Sequence, residues 1–297
     1  MKPDDTGISS FLKTRRAALD PERVGLPPVH NRRRVPGLRR EEVAQLAGIS
    51  VDYYIRIEQG RATGISPPVL DALARALRLT GDERTYLGNL ADPGHPRGSG
   101  PLPPGAPVVR PQIQRLLDAI DASVPAFVVG PGLDYLAWNR LGGSLYDMDA
   151  LAQEERNAAL LVFLHSGGRT LHPDFDEVAA ETVAALRAET GRHPCHPRVQ
   201  AVLTRLLAES PGFRELWQAQ HVREKLSGVK RVVHPVAGEL VLTYETFALT
   251  ADEDQTLCTY TVEPGSPSHR ALLALTADRP GPVPPGGRAA FAGAPSA

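Results

Sequence analysis

Proline and glycine interrupt this chain at two places. Between Asp92 and Pro111, seven prolines and four glycines fill 11 of 20 positions. Such a segment cannot sustain a helix or a central strand, because proline lacks an amide hydrogen and glycine costs backbone entropy. Residues 278–297 contain five more prolines and four more glycines. We therefore predict a domain over residues 1–91, a linker over 92–110, a second domain over 111–277 and a disordered tail over 278–297.

The net charge of −1 conceals an asymmetry between the two predicted domains. Residues 1–91 carry 15 Lys+Arg and 11 Asp+Glu, whereas the rest of the chain carries 18 and 23. The first domain is therefore basic and suits an anionic partner such as nucleic acid. The chain shows neither 18 uninterrupted apolar residues nor an apolar signal-peptide core, so we expect no membrane contact. Two cysteines fit a reducing compartment, and we predict a cytoplasmic protein.

Five short helical patterns follow one another in the first domain, which predicts an all-α fold. The most informative stretch runs from Leu38 to Gly60 and reads LRREEVAQLAGISVDYYIRIEQG. A helix over 39–47 ends at Gly48, and a second helix begins at the cap residue Ser50. Two helices joined by so short a glycine-containing turn indicate a helix-turn-helix motif that binds DNA. The alternative is a small helical bundle whose third helix is merely solvated.

Residues 38–90 resemble the Xre/Cro-repressor type of helix-turn-helix. The stretch RRVPGLRREEVAQLAGISVDYYIRIEQGR is similar in sequence to the MmyB-like regulators. The resemblance implies a positioning helix with a phosphate contact from Arg39 or Arg40. It also implies a recognition helix over 50–59, and from that helix we nominate Ser50, Val51, Asp52, Tyr53 and Arg56 as DNA-binding residues. Glu58 is expected to be structural and to pair with Arg15 or Arg16.

The run Arg32, Arg33 and Arg34 lies just before the positioning helix. Beside a helix-turn-helix, we predict that it contacts the DNA backbone and adds affinity without sequence choice. The alternative is a solvated basic loop.

The second domain is predicted to be α+β. Two short apolar segments, 126–129 and 133–138, flank a Gly-Pro-Gly turn, and a helical region covers roughly 152–220. Three segments of period-two alternation then follow at 229–236, 239–249 and 256–262, and a closing helix covers 268–276. Two strands, a helical excursion and three antiparallel strands are the order of a PAS-like sensor domain.

MmyB-like regulators are expected to carry such a ligand-binding domain after the DNA-binding head. The stretch LSGVKRVVHPVAGELVLTYETF is similar to the family pattern. The resemblance implies an apolar pocket for a fatty-acid-like molecule. We nominate as pocket residues Trp138, Asn139, Phe163, Trp217, His221, Arg231, His234 and Tyr244, with Arg231 or His234 meeting a carboxylate head group. For the aromatic residues the alternative is a place in the core.

We find no constellation that predicts catalysis or a bound metal ion. His193, Cys195 and His196 have metal-ligand residue types, but no second ligand pair recurs at a fixed spacing. A loop joining two helices is the preferred interpretation. The sequence also lacks a Gly-x-Ser-x-Gly elbow, a phosphate-binding glycine loop and a His-Glu-x-x-His motif. We therefore expect neither an enzyme nor a cofactor beyond the fatty-acid-like ligand.

The predicted function is that of a transcription regulator which binds a double-stranded DNA operator. One short recognition helix buries too little surface for high specificity, so we expect a homodimer on two half-sites. The second domain is expected to bind a small apolar or fatty-acid effector. The alternative is a protein-interaction or dimerisation module without a small-molecule effector.

Overall fold

The structure is a computed structural model that describes residues 7–21, 24, 37–92 and 108–277. Most of the predicted linker, the predicted tail over 278–297 and the run Arg32, Arg33 and Arg34 lie outside the described residues.

The head, which is the N-terminal domain, is built from short helices around one apolar cluster. Phe11, Leu12, Val43, Tyr54 and Leu73 are all fully buried in that cluster. This arrangement confirms the predicted all-α helix-turn-helix fold. The helices are α1 (Ile8–Ala18), α2 (Arg40–Ala47), α3 (Val51–Glu58), α4 (Pro67–Ala76) and α5 (Gly81–Ala91).

The sensor, which is the C-terminal domain, contains one antiparallel sheet of five strands. The spatial order is β2-β1-β5-β4-β3, so the strands before and after the helical excursion meet at the β1–β5 pair. This arrangement confirms the predicted α+β PAS-like fold. The strands are β1 (Ala126–Gly130), β2 (Asp134–Trp138), β3 (Ser227–His234), β4 (Gly238–Ala248) and β5 (Thr256–Thr261).

Helices cover the inner face of this sheet and part of its outer face. Leu117 of the first sensor helix packs on Val128 and Leu257 at the outer face, whereas the helical excursion builds the inner layer. The sensor helices are α6 (Pro111–Ala119), α7 (Arg140–Leu145), α8 (Ala158–Phe163), α9 (Gly168–Leu171), α10 (Phe175–Arg192), α11 (Pro197–Glu209), α12 (Pro211–Gln218) and α13 (Pro267–Ala277).

The longest helix of the sensor, α10, packs against both domains. One part of its surface packs on α8 and α12 inside the sensor, and another part packs on α5 of the head. The two domains are therefore in direct contact. Within the described ranges, no helix combines the length and hydropathy that crossing a bilayer requires.

Candidate functional site

The turn between α2 and α3 has the geometry that the sequence predicts. Gly48 adopts a left-handed conformation with φ 66°, which its lack of a Cβ makes inexpensive. The Ile49 amide donates to the Ala44 carbonyl over 3.0 Å and closes the end of α2. Ser50 then caps α3, because its Oγ accepts a hydrogen bond from the Tyr53 amide at 3.2 Å. These bonds fix the angle between the two helices.

The nominated residues of α3 divide between an exposed face and the core. Val51, Asp52 and Arg56 are exposed, as is the cap Ser50, whereas Tyr53 is half-buried and packs against the head cluster. The exposed face therefore presents a carboxylate, a guanidinium and a hydroxyl, the types of group that read base edges in a major groove.

A buried carboxylate anchors the opposite side of α3. Glu58 is fully buried, and its Oε2 accepts a hydrogen bond from Arg16 Nε at 2.7 Å. Its Oε1 accepts one from Arg40 Nε, also at 2.7 Å, and the Tyr54 hydroxyl donates to Oε2 at 3.0 Å. Burial alone would raise the pKa of Glu58, but the hydrogen bonds from Arg16 and Arg40 hold it below its usual value. The expected pairing of Glu58 with Arg16 is confirmed.

The two candidates for the phosphate contact differ in their surroundings. Arg39 is exposed, and its backbone amide donates to the Glu42 carboxylate at 2.6 Å, which caps α2. The Arg40 side chain is 42% exposed but is committed through Nε to Glu58. Arg40 therefore has a structural role that the sequence did not indicate, and Arg39 is the freer of the two to reach a phosphate.

A cavity lies between the inner face of the sheet and the helical layer of the sensor. Its volume is about 110 Å³, and it opens in part to solvent. Much of its wall is apolar, formed by Val129, Leu133, Ala158, Leu161, Val162, Leu171 and Ala185. Polar groups line the rest, namely Lys225, Lys230, His172, Thr182, Thr246, Thr256, Cys258 and the phenols of Tyr135, Tyr146, Tyr244 and Tyr260.

Two lysines give the cavity a positive end. Lys230 is buried, and its Nζ donates to the Tyr146 hydroxyl at 3.1 Å. The Lys225 Nζ lies 5.0 Å from the centre of the Tyr244 ring. Burial lowers the pKa of Lys230 to about 8, and burial together with the charge of Lys230 lowers the pKa of Lys225 to about 8. Both ammonium groups therefore remain mostly protonated at pH 7.

The counter-charge that acts on both lysines, Glu181, lies outside the cavity wall and pairs with Arg223 at 3.2 Å. No Asp or Glu lines the cavity in the part of the chain that the structure describes, and neither lysine forms an ion pair among those residues. His172 adds a neutral polar group, because burial lowers its pKa to about 3. Its Nδ1 is buried and has no hydrogen-bond partner within the described ranges. Buried ammonium groups without an ion-pair partner are costly, so Lys225 and Lys230 make this end of the cavity suit an anionic ligand.

Of the eight nominated pocket residues, the structure places only Tyr244 in this cavity wall. His221 is exposed, and Arg231 lies on the outer side of β3, where it pairs with Glu239 and Asp174. Phe163 and Trp217 pack with Phe213 in the core between helices. Both of these rings therefore lie in the core, which is the alternative that the sequence left open for the aromatic residues.

The remaining three nominees have local structural roles. The Asn139 Oδ1 accepts from the amides of Ala126 and Gly142 and so fixes the start of α7. The ring of Trp138 lies 5.1 Å from the Arg156 guanidinium. The His234 Nδ1 accepts from the amides of Val236 and Ala237, which closes the turn between β3 and β4. Neither Arg231 nor His234 is placed to meet a head group in this cavity.

The histidine-rich loop between α10 and α11 is a helix junction, as predicted. His193 follows the last residue of α10, and the His196 side chain accepts from the Val199 amide and caps α11. Among the described residues, no group of three or more His, Cys, Asp or Glu side chains is arranged to hold a metal ion.

Sequence reasoning missed both cavity lysines. In β3 the inward positions alternate as Lys230, Val232 and His234, and the outward ones as Val229, Arg231 and Val233. The outward positions hold two valines and the inward positions only one, so the sequence pattern alone does not place Lys230 inward. Lys225 precedes the strand and shares no such pattern.

A helix-turn-helix head joined to a sensor fold with an internal cavity defines a transcription regulator with a ligand-binding domain. Comparison with protein-family models supports each half: a helix-turn-helix domain matches residues 9–87, and the MmyB-like transcription regulator ligand binding domain matches residues 109–275, more than half of the chain. The chain belongs to the MmyB-like transcription regulators. A comparison with curated proteins finds no match.

Proposed function

We propose that this chain is a cytoplasmic transcription regulator of the Xre type that responds to a fatty-acid-like anion bound in the sensor cavity. The observation that supports the ligand class is the pair Lys225 and Lys230 at one end of a largely apolar cavity with no lining carboxylate among the described residues. An alkyl chain would be buried along the apolar wall, and a carboxylate would be paired with the ammonium groups.

The head-group contacts follow from the geometry of the lysine end. Lys230 already donates to the Tyr146 hydroxyl, so that phenol is oriented to donate its own proton to a ligand oxygen. Burial raises the pKa of Tyr146 to about 12, which keeps this phenol protonated. These residues replace Arg231 and His234 as the proposed carboxylate contacts.

For the head, we propose that Ser50, Val51, Asp52, Tyr53 and Arg56 face the bases, with Arg39 and Arg40 at the phosphates. The exposed face of α3 supports this division. Backbone contacts from Arg32, Arg33 and Arg34, which lie outside the described residues, and a homodimer on paired half-sites complete the proposal.

The ligand class is tested by calorimetric titration of the delipidated full chain with dodecanoate and with dodecanol, which has the same chain length and no charge. Lys230→Met removes the ammonium group and keeps the aliphatic volume. We expect a loss of dodecanoate affinity of about 10- to 100-fold, because charge-assisted hydrogen bonds contribute about 1.5–3 kcal/mol. Dodecanol binding should change little.

Arg231→Met is the matched control, because it removes one positive charge from the neighbouring residue on the other side of β3. It should leave dodecanoate affinity within about twofold. Equal losses from both variants, or equal affinity of the wild-type chain for the acid and the alcohol, would contradict the proposed ligand class. If the purified chain carries no lipid and binds neither probe, a protein-interaction module becomes the better account of the sensor.

A further inference from the structure

The sensor contributes a residue to the core of the head. Val222 is 7% exposed and belongs to the same apolar cluster as Phe11 and Leu12 of α1. Beside it, α10 comes so close to α5 that a Cβ on Gly191 would overlap the ring of Tyr86. This contact between the domains is therefore packed like an interior and does not depend on the linker.

Polar contacts fix the same junction at three points. Arg15 of α1 donates to the backbone carbonyl of Gln220, and the Gln220 side-chain amide donates to Ser10 Oγ at 3.2 Å. The Glu224 amide donates to Asp82 Oδ2, at the start of α5, over 2.9 Å. We call residues 219–226 the connector, because they link the end of α12 to the start of β3 and carry all these contacts.

The connector also reaches the cavity. Lys225, which lines the cavity, is the residue directly after Glu224. On α10, Ala185 lines the cavity and Ala188 packs against the head cluster. These two alanines are three residues apart, so less than one helical turn, about 4.5 Å along the axis, separates the cavity from the head.

A fully buried arginine joins α10 to the connector. Arg187 Nη1 donates to Gln220 Oε1 at 2.6 Å, and its guanidinium lies 3.7 Å from the centre of the Trp217 ring. At the other end of the connector, Arg192 pairs with Glu224 at 2.7 Å. The connector and α10 are therefore held as one unit, and a displacement of one is resisted by charged hydrogen bonds to the other.

In the head, α1 contacts both the connector and the recognition helix α3. Arg15 holds the connector, and its neighbour Arg16 pairs with Glu58, the last residue of α3. Two adjacent side chains of α1 thus point to the sensor and to the recognition helix.

We propose that the connector, together with α10, forms the mechanical joint through which occupancy of the cavity reaches the head, with α1 as the receiving helix and α3 as the element whose position changes. The identity of the ligand rests on the proposed function, but the joint itself does not. A change in the cavity wall must alter α1 and α3 whether it comes from a ligand or from a substitution.

The test is hydrogen exchange of the full chain, read by mass spectrometry at the α1 and α3 amides. Two perturbations are compared, dodecanoate on the wild-type chain and Ala185→Met, which fills the cavity from α10 without any ligand. We expect each to change exchange in α1 and α3 by about fivefold or more. Thr182→Leu fills the same side with less added volume and replaces Ala185→Met if that variant lowers the Tm strongly.

The joint is then weakened by Val222→Ala combined with Asp82→Ala, which remove the valine side chain that enters the head cluster and one of the three polar contacts. In this background the change in hydrogen exchange of α1 and α3 should fall below twofold, while the change in hydrogen exchange of the cavity wall persists. His221→Ala is the matched control, since its side chain lies on the connector but is exposed. His221→Ala should show the same change in hydrogen exchange of α1 and α3 as the wild-type chain.

The two proposals fail in different ways. If dodecanoate does not bind, the proposed ligand is wrong, and the cavity-filling variant still decides about the joint. If the cavity wall responds in a chain with an intact joint while α1 and α3 do not, the joint is wrong. The same holds if the chain with the weakened joint changes exchange in α1 and α3 as much as the wild-type chain.

Discussion

Glu58 is the residue on which the position of the recognition helix depends most. It is fully buried and binds Arg16 and Arg40, so one carboxylate ties α3 to both α1 and α2. Removing one partner from a buried ion pair leaves uncompensated charge inside the protein. The side chain therefore matters for DNA binding without facing DNA.

Glu58→Gln should lower the free energy of unfolding of the head by about 3 kcal/mol at pH 7, because Arg16 and Arg40 lose their counter-charge. Chemical denaturation followed by circular dichroism measures this. The control is Asp71→Asn, which removes an exposed pair with Arg84 at 3.9 Å and should cost less than about 1 kcal/mol.

The difference in stability between the wild-type chain and Glu58→Gln should depend on pH, and the lowered pKa of Glu58 fixes the sign of that dependence. The pKa of Glu58 is lowered in the folded chain, so its contribution is present above the unfolded pKa of about 4.3 and is lost as the pH falls through the folded pKa. The difference in stability between wild type and Glu58→Gln should therefore shrink below about pH 4. A difference that stays constant from pH 7 to pH 3 would contradict the assignment.

Lys225 and Lys230 should make ligand affinity fall at alkaline pH. Both have a pKa of about 8 in the free protein, and a bound carboxylate would raise it. Above pH 8 binding must therefore take up protons, and dodecanoate affinity should fall by up to about tenfold per pH unit for each lysine. Calorimetry from pH 7 to pH 9.5 checks this. A parallel fall in dodecanol affinity would rule out the lysines as the cause.

At the scale of the element, the recognition helix and its positioning helix should differ in what they contribute. Arg56→Ala should relax discrimination between operator and unrelated DNA, since an arginine that contacts a base edge contributes about 1–3 kcal/mol of discrimination. Arg39→Ala should weaken binding to every sequence about equally and reduce the salt slope by about 0.9. Fluorescence anisotropy on both DNAs at several salt concentrations separates these effects.

Arg40→Ala is a poorer probe of the phosphate contact, because Arg40 also pairs with Glu58. Its substitution would combine a loss of head stability with any loss of DNA contact. If Arg56→Ala and Arg39→Ala affect both DNAs equally, the division of roles between the two helices is wrong.

The elements themselves could be predicted because their signals are local. Gly48 with Ser50 marks the turn of the helix-turn-helix, and the alternation in β3 and β4 marks the sheet. The family resemblance implied a pocket, but most of its lining residues and the joint could not be predicted, because they depend on side chains far apart in sequence. Arg15 and Gln220 are 205 residues apart, and no local pattern relates them.

On the scale of the whole molecule, the near-zero net charge is the sum of a basic head and a more acidic remainder. The basic charge favours association with DNA, and its effect should weaken with rising salt. The head and the sensor nevertheless share an apolar cluster through Val222. That contact answers the difficulty that a proline-rich linker alone would transmit a conformational change poorly.

The homodimer remains a prediction for the whole molecule. The structure describes one chain, and its recognition helix of eight residues presents one short reading surface. A symmetric pair of heads would double that surface and demand an operator with two related half-sites.

The central claim is that an anion in the cavity changes the affinity of the head for DNA. The most direct measurement is the Kd for an operator selected from random DNA, with and without saturating dodecanoate, for the wild-type chain and for Lys230→Met. We expect dodecanoate to change the wild-type Kd by about fivefold or more and to leave Lys230→Met nearly unchanged at the same concentration. If dodecanoate binds the wild-type chain and its operator Kd stays within a factor of two, the claim is contradicted.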